Sequence, residues 1–315
     1  MQTVSRVLTH GRTELAKAIV GQEELINQCL LTILCGGHAL LEGVPGIAKT
    51  LVIKLFARLF DLEFRRVQCT SDLMPADIIG SNVLNLATST FALHRGPLFT
   101  DLLLADEVNR MPPRTQAALL EAMEERQITI DNTTHRLSDF FTVFATQNPV
   151  EFEGTYPLPE AQLDRFLLKI KVTYPNADQE IAILQNHHQG FDSHHLEAVQ
   201  VTPIPQDVLA QARAEVRNTR VEPALFRYIV EIVRRTRDWP AFSMGASPRA
   251  AISLMMVAKA VAALEERDYL IPDDVKSSVL PVLRHRVMMK PEAELEGLDS
   301  DRVLAEVIGS VEVPK

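Results

Sequence analysis

The chain is poor in cysteine: it has three in 315 residues, Cys29, Cys35 and Cys69. The number is odd, the spacings fit no metal pair and the neighbours are apolar. A disulfide scaffold is excluded, and reduced, buried thiols are expected. The chain also lacks any apolar run of about 18 residues, the length that spans a bilayer. Even the stretch SLMMVAKAVAAL at 253–264 is interrupted by Lys259. The opening MQTVSRVLTH has no apolar core of the kind a secretory signal needs, so a cytoplasmic protein is expected. Basic runs are absent too. The formal net charge is −9, with −6 on residues 1–180 and −3 on the rest. Phosphate neutralisation supplies most of the affinity for duplex nucleic acid, so nucleic acid is disfavoured as the main ligand. There is no internal repeat and no low-complexity tract. With 46 % hydrophobic and 23 % charged residues, the composition is that of a soluble globular protein. The length suits one large or two modest domains.

The first part of the chain alternates helical and strand patterns. Helices are expected at 5–18, 22–34, 49–60 and 113–125. Strands are expected at 38–41, 63–68, 102–106, 140–145 and 166–172. This alternation predicts parallel βαβ units and a sheet covered on both faces. Two segments break the rhythm, 81–94 and 127–137, and both read as inserted hairpins. After Tyr174-Pro175 the strand patterns cease. Helices are expected at 177–188, 206–216, 223–237, 248–266, 273–285 and 301–309, several with proline near the first turn. The expected division is an α/β domain at 1–190 and an all-helical domain at 191–315.

The strand at 38–41 runs into Gly43-Val44-Pro45-Gly46-Ile47-Ala48-Lys49-Thr50, which opens a helix continued by Leu51. Strand, tight glycine-containing loop, Lys-Thr and helix are the parts of a phosphate-binding loop. Successive backbone N–H groups and the helix N-terminus converge on one anion. Lys49 is expected to reach the β- and γ-phosphates, and Thr50 to offer its hydroxyl to Mg²⁺. The common pattern has glycine where this chain has Ala48. Leu102-Leu103-Leu104-Ala105 then ends in Asp106-Glu107. Ligands of open α/β sheets bind at that edge. Asp106 suits the metal, through water, and Glu107 the orientation of an attacking water. Asn148 ends a neighbouring strand and is a candidate for the same water or the γ-phosphate. Arg165 precedes the last strand, and Arg249 stands in the first turn of a later helix, where a cation is disfavoured unless an anion is near. Both are candidates to stabilise developing charge on a phosphoryl group.

These motifs, in this order, resemble the MoxR family of AAA+ ATPases. GVPGIAKT is similar to that family's variant phosphate loop, with alanine before the lysine. The segment 102–130 is similar to its Walker B region, 144–166 to its sensor-1 and arginine-finger region, and GASPRA at 245–250 to the start of its sensor-2 helix. Val20-Gly21-Gln22 is similar to the stretch beside adenine in AAA+ proteins. The resemblance runs over roughly residues 5–285. It implies an αβα core with strand order 5-1-4-3-2, helix-2 and pre-sensor-1 hairpin inserts and a helical lid. It implies ATP with Mg²⁺ in a crevice between core and lid. It further implies a homo-oligomeric ring, usually a hexamer. Arg165 would reach a neighbour's nucleotide, and Arg249 the nucleotide of its own subunit. Chaperone-like remodelling of client proteins is implied, with a separate partner that carries a von Willebrand factor A domain. That domain's metal-site pattern is absent from this chain.

Alternative readings are a magnesium-chelatase-type motor subunit, a P-loop small-molecule phosphotransferase, a nucleotide-regulated binding module and a DNA-associated motor. The acidic balance speaks against the last, and Glu107 against a binding module without turnover. His187, His188, His194 and His195 fall in a polar stretch and read as solvated rather than as a metal site.

Overall fold

The structure is a computed structural model and describes residues 2–44, 49–86, 89–149, 154–192 and 199–314. Helices α1 (Gln2–Leu15) and α2 (Glu23–Cys35) precede strand β1 (Ala39–Glu42). Then come α3 (Lys49–Leu59), β2 (Phe64–Gln68), the short α4 (Pro75–Ile79), the hairpin β3 (Gly80–Asn85) and β4 (Thr90–Arg95), and β5 (Leu102–Asp106). A 3-10 turn at Val108–Arg110 leads into α5 (Pro113–Glu125), the hairpin β6 (Gln127–Ile130) and β7 (Thr133–Arg136), and β8 (Thr142–Gln147). The elements α6 (Glu160–Leu163), β9 (Leu168–Lys171) and α7 (Ala177–His188) follow. Strands β1, β2, β5, β8 and β9 form one parallel sheet in the order β2-β5-β8-β1-β9. Counted along the chain this is the expected 5-1-4-3-2 order, read from the other edge.

The middle of the sheet is buried on both faces because β5, β8 and β1 are buried along nearly their whole length, whereas the edge strand β2 carries Arg65, Arg66 and Gln68. Leu102, Leu103, Leu104 and Ala105 of β5 are at most 1 % exposed. Side chains alternate across a strand. Leu102 and Leu104 accordingly join Leu41, Phe144, Leu168 and the α3 residues Val52, Ile53 and Phe56 on one face. Leu103 and Ala105 join Leu40, Val143, Ala145 and the α5 residues Leu119, Leu120 and Met123 on the other. Each fully buried leucine contributes roughly 2 kcal/mol of transfer free energy. Both inserted hairpins form where expected. The β6–β7 turn uses Asp131 and Asn132, both with positive φ (46° and 67°), as a tight two-residue hairpin requires. The strand expected at 140–145 begins at Thr142 and continues to Gln147, which brings Thr146 into the strand end.

The later part contains α8 (Gln206–Arg217), α9 (Pro223–Arg237), β10 (Phe242–Met244), α10 (Pro248–Leu264), α11 (Pro272–Leu283), β11 (Met288–Met289), α12 (Pro291–Leu295) and α13 (Ser300–Ser310). To the expected helices the structure adds the short α12 and an antiparallel ribbon in which β10 pairs with β11. The ribbon's strands are too short for periodicity to reveal. Helices α8 and α10 pack on α1 and α2, and one apolar cluster runs from Val4 and Leu8 through Leu209 and Leu254 to Val307. Among the described residues no helix is long and apolar enough to cross a membrane.

Candidate functional site

A crevice of about 840 Å³ opens at the C-terminal edge of the sheet. Its floor is lined by Lys49, Thr50, Leu51, Arg66, Gln68, Asp106, Glu107, Thr146 and Asn148. Val20 and Gln22 line one end, and Tyr174, Glu180, Ile183, Asn186, His187 and Phe191 form the far wall. That wall is α7 and its flanks. Among the described residues that line the crevice none belongs to a helix after α7, where later lid helices were expected; α7 presents Glu180, Ile183, Asn186 and His187 to it. Gly21, with φ +67°, lets the chain turn beneath α7, where the Gln179 side chain lies against it. Gln22 donates to the Thr173 carbonyl at 3.0 Å and ties the same junction.

Lys49 starts α3 and donates from Nζ to the Gly43 carbonyl at 2.6 Å. Burial pushes its ammonium below the ordinary value, while Asp106 and Glu107 pull the other way. A lysine so placed faces two carboxylates across the crevice. Gly43 is packed against the Val172 carbonyl, where a Cβ would come within 2.6 Å of backbone oxygen. Val44 is half-buried against the core. Pro45, Gly46, Ile47 and Ala48 lie outside the described residues.

Thr146 joins the two acidic residues. Its hydroxyl donates to Asp106 Oδ1 at 2.6 Å and accepts the Glu107 backbone N–H at 2.8 Å. Glu107 sits in the left-handed region at φ 60°, which is unusual for a residue with a side chain. Such strain is held by its surroundings and gathers at functional sites. The Glu107 carboxylate lies 3.1 Å from Arg110 Nε and accepts from Gln68 Nε2 at 3.4 Å. Arg66 donates to Asp106 Oδ2 at 2.5 Å and to Gln68 Oε1 at 2.8 Å. Thr146, Arg66 and Gln68 were not among the sequence candidates. Arg66 and Gln68 alternate along β2, and Gln68 pairs in register with Asp106. The signal was the polar alternation in FRRVQ, and only the strand pairing shows where it points.

Asn148 follows β8 and lines the crevice. Arg165 and Arg249 do not line it. They meet on α5 instead, where Arg249 Nη2 donates to Glu124 Oε1 at 2.5 Å and Arg165 Nε lies 3.0 Å from Glu124 Oε2. The two guanidiniums, Arg249 first, hold the Glu124 carboxyl below its usual range. Arg249 thus stands on Glu124 and not among the crevice-lining residues of its own chain. The anion near this helix start is Glu124, which Arg249 shares with Arg165.

Cys29 and Cys69 are buried and Cys35 is partly so. Burial pushes the thiols of Cys35 and Cys69 up to about 12, so neither is a thiolate nucleophile at neutral pH. His187 lines the crevice, while His194 and His195 lie outside the described residues. Among the described residues no group of three or more histidine, cysteine or acidic side chains could hold a metal.

Residues 38–168 match the model of the ATPase family associated with various cellular activities (AAA), and 234–307 match that of the AAA lid domain. YeaC, an uncharacterized protein of Bacillus subtilis, is 43 % identical over 95 % of this chain and 92 % of its own length. The chaperone MoxR1 of Mycobacterium tuberculosis is 40 % identical over 96 % of this chain and 81 % of its own. A crystal structure from Cytophaga hutchinsonii, 40 % identical, superposes with a TM-score of 0.91 over 99 % of this chain and 96 % of that one. With this sheet order, these inserts and this strand-end acidic pair, the chain belongs to the MoxR family of AAA+ ATPases.

Proposed function

We propose that the chain is a Mg-dependent ATPase whose site is completed by a neighbouring copy, and that it works as a chaperone-like remodelling factor on client proteins. The observation that carries this reading is the separation of the site into two halves. Lys49, Thr50, Asp106, Glu107 and Asn148 share the crevice. Arg165 and Arg249 stand together outside it, on Glu124. A hydrolytic site with its cations displaced as a pair is complete when a second subunit presents that pair. This favours a ring, of hexameric form by analogy with AAA+ relatives, over a monomeric phosphotransferase.

In this reading ATP is the substrate. The loop from Gly43 to Ala48, with Lys49, receives the phosphates. Thr50 and Asp106 would hold the magnesium, which neutralises charge on the β- and γ-oxygens. Glu107 orients the attacking water and Asn148 assists. Thr146 ties the Asp106 carboxylate to the Glu107 backbone. Val20, Gly21 and the α7 wall take the base. Arg165 and Arg249 of the neighbour stabilise the transferring phosphoryl group. An arginine supplied in trans can be worth on the order of 10³–10⁵ in rate.

The remodelling role is supported by the similarity to a named chaperone and by the β3–β4 hairpin, which exposes Leu86 (84 %) and Phe91 (72 %) to solvent. Exposed large apolar side chains grouped on one element suit protein contact. A separate partner with a von Willebrand factor A domain, a cytoplasmic location and a division near residue 190 belong to the same reading. The test is complementation. Rings of Glu107→Gln alone and of Arg165→Ala alone are expected to be inactive. A mixture, shown by native mass spectrometry to form mixed rings, is expected to recover phosphate release. No recovery in proven mixed rings overturns the shared site.

A further inference from the structure

The two arginines that leave the crevice are anchored from beneath by one buried ion pair. Arg286, just after α11, has a side chain only 2 % exposed. Its Nε donates to Asp164 Oδ1 at 2.7 Å. Nη2 donates to the carbonyls of Phe166 at 2.6 Å and Asp164 at 3.2 Å, and to Ser253 Oγ of α10 at 3.2 Å. Nη1 donates to the Leu167 carbonyl at 3.1 Å and to that of Val282. The chain is thus pinned at residues 164, 166 and 167, on both sides of Arg165. The other oxygen of Asp164 accepts from Ser247 Oγ at 2.9 Å. Ser247 caps α10, two residues before Arg249.

A buried ion pair is a weak source of stability, since apolar side chains of the same volume often do as well. What the planar guanidinium fork supplies is direction. Here it fixes two backbone segments, one from the α/β core and one from the lid, beneath half-buried Arg165 and exposed Arg249, which share Glu124. We propose that Asp164, held by Arg286 and Ser247, is a positioning residue that makes Arg165 and Arg249 one rigid two-arginine unit for the neighbouring subunit's nucleotide. A movement of the lid then carries both cations together. This rests on the shared-site reading above.

The experiment separates the chain as supplier of arginines from the chain as owner of a crevice. Asp164→Asn keeps the side-chain volume and removes the charge. Alone, it should lower kcat about tenfold to a hundredfold, the scale expected for displacement of a positioned group by about 1 Å, with KM for ATP unchanged. Mixed with Glu107→Gln, whose arginines are intact, its own sites should turn over. Mixed with Arg165→Ala, it must supply the arginines, and activity should stay low. Recovery in both mixtures overturns the proposal. Loss with Glu107→Gln and recovery with Arg165→Ala places the damage in the chain's own site and overturns the proposal. Loss in both means damage in both roles, and the milder Ser247→Ala then decides. That variant should lose about threefold only as supplier, and equal loss in both roles, or none, overturns the proposal. Mixing Glu107→Gln with Arg165→Ala is the control. Its failure in proven mixed rings rejects the shared site itself, and the positioning role with it.

Discussion

Thr146 is the smallest group on which the proposed chemistry depends. Its hydroxyl is spent twice, on the Asp106 carboxylate and on the Glu107 backbone, and it is 2 % exposed. Thr146→Val keeps the shape and removes both bonds. The strained φ of Glu107 then loses its restraint, and the backbone that carries the water-orienting side chain is no longer tied to Asp106. Turnover is expected to fall about a hundredfold, the scale of a 1 Å displacement, while ATP affinity changes little. Glu107→Gln should bind ATP with near-native affinity and not turn over. Both are read by equilibrium binding and phosphate release on the same samples. Native turnover in Glu107→Gln removes the base assignment. Lys49, Thr50, Asp106 and Glu107 were legible because their partners are near in sequence or set by a strand end. Thr146, Arg66 and Gln68 were not, because their roles arise from pairing between strands distant in the chain.

At the scale of elements, β1, α5 and β8 are joined by a buried histidine. His38 Nδ1 accepts the Val143 N–H at 2.9 Å, which leaves Nε2 as the donor to the Met123 carbonyl at 3.0 Å. This tautomer is neutral, and burial lowers the imidazole from 6.5 to about 4. Between those values the unfolded chain binds a proton that the folded chain does not. Stability therefore rises with pH through this window and falls on acidification, by up to about 1.4 kcal/mol per pH unit for this group. His285, bonded to the Phe166 carbonyl, is shifted in the same direction. Urea unfolding at about pH 7, 6 and 5 should show the loss, and His38→Gln should flatten it. Parallel curves for the two proteins contradict this account. Most elements could be read from sequence because their apolar spacing is regular. The β10–β11 ribbon could not, since a strand of two or three residues shows no period. The side on which α7 closes the crevice could not either. Its helical pattern gives the element but not the partner; Gln179 lies against Gly21 at the turn beneath it.

At the scale of the whole molecule, Arg165 and Arg249 stand on Glu124, apart from the crevice that Lys49, Asp106 and Glu107 line. Arg249 shows why local reading stopped short. An arginine in a helix's first turn announces an anion, but which anion depends on where α10 docks, and it docks on α1 and α2 with its start beside Asp164. A single chain should then hydrolyse ATP slowly, with Glu124 holding the two guanidiniums. The central claim is assembly-dependent turnover. Mass by light scattering with and without Mg-ATP, with phosphate release followed on the same samples over a concentration series, tests it most directly. The account predicts that ATP promotes a ring-sized particle and that turnover per subunit rises in step with it. A chain that stays monomeric and hydrolyses ATP at a rate independent of its concentration would contradict it.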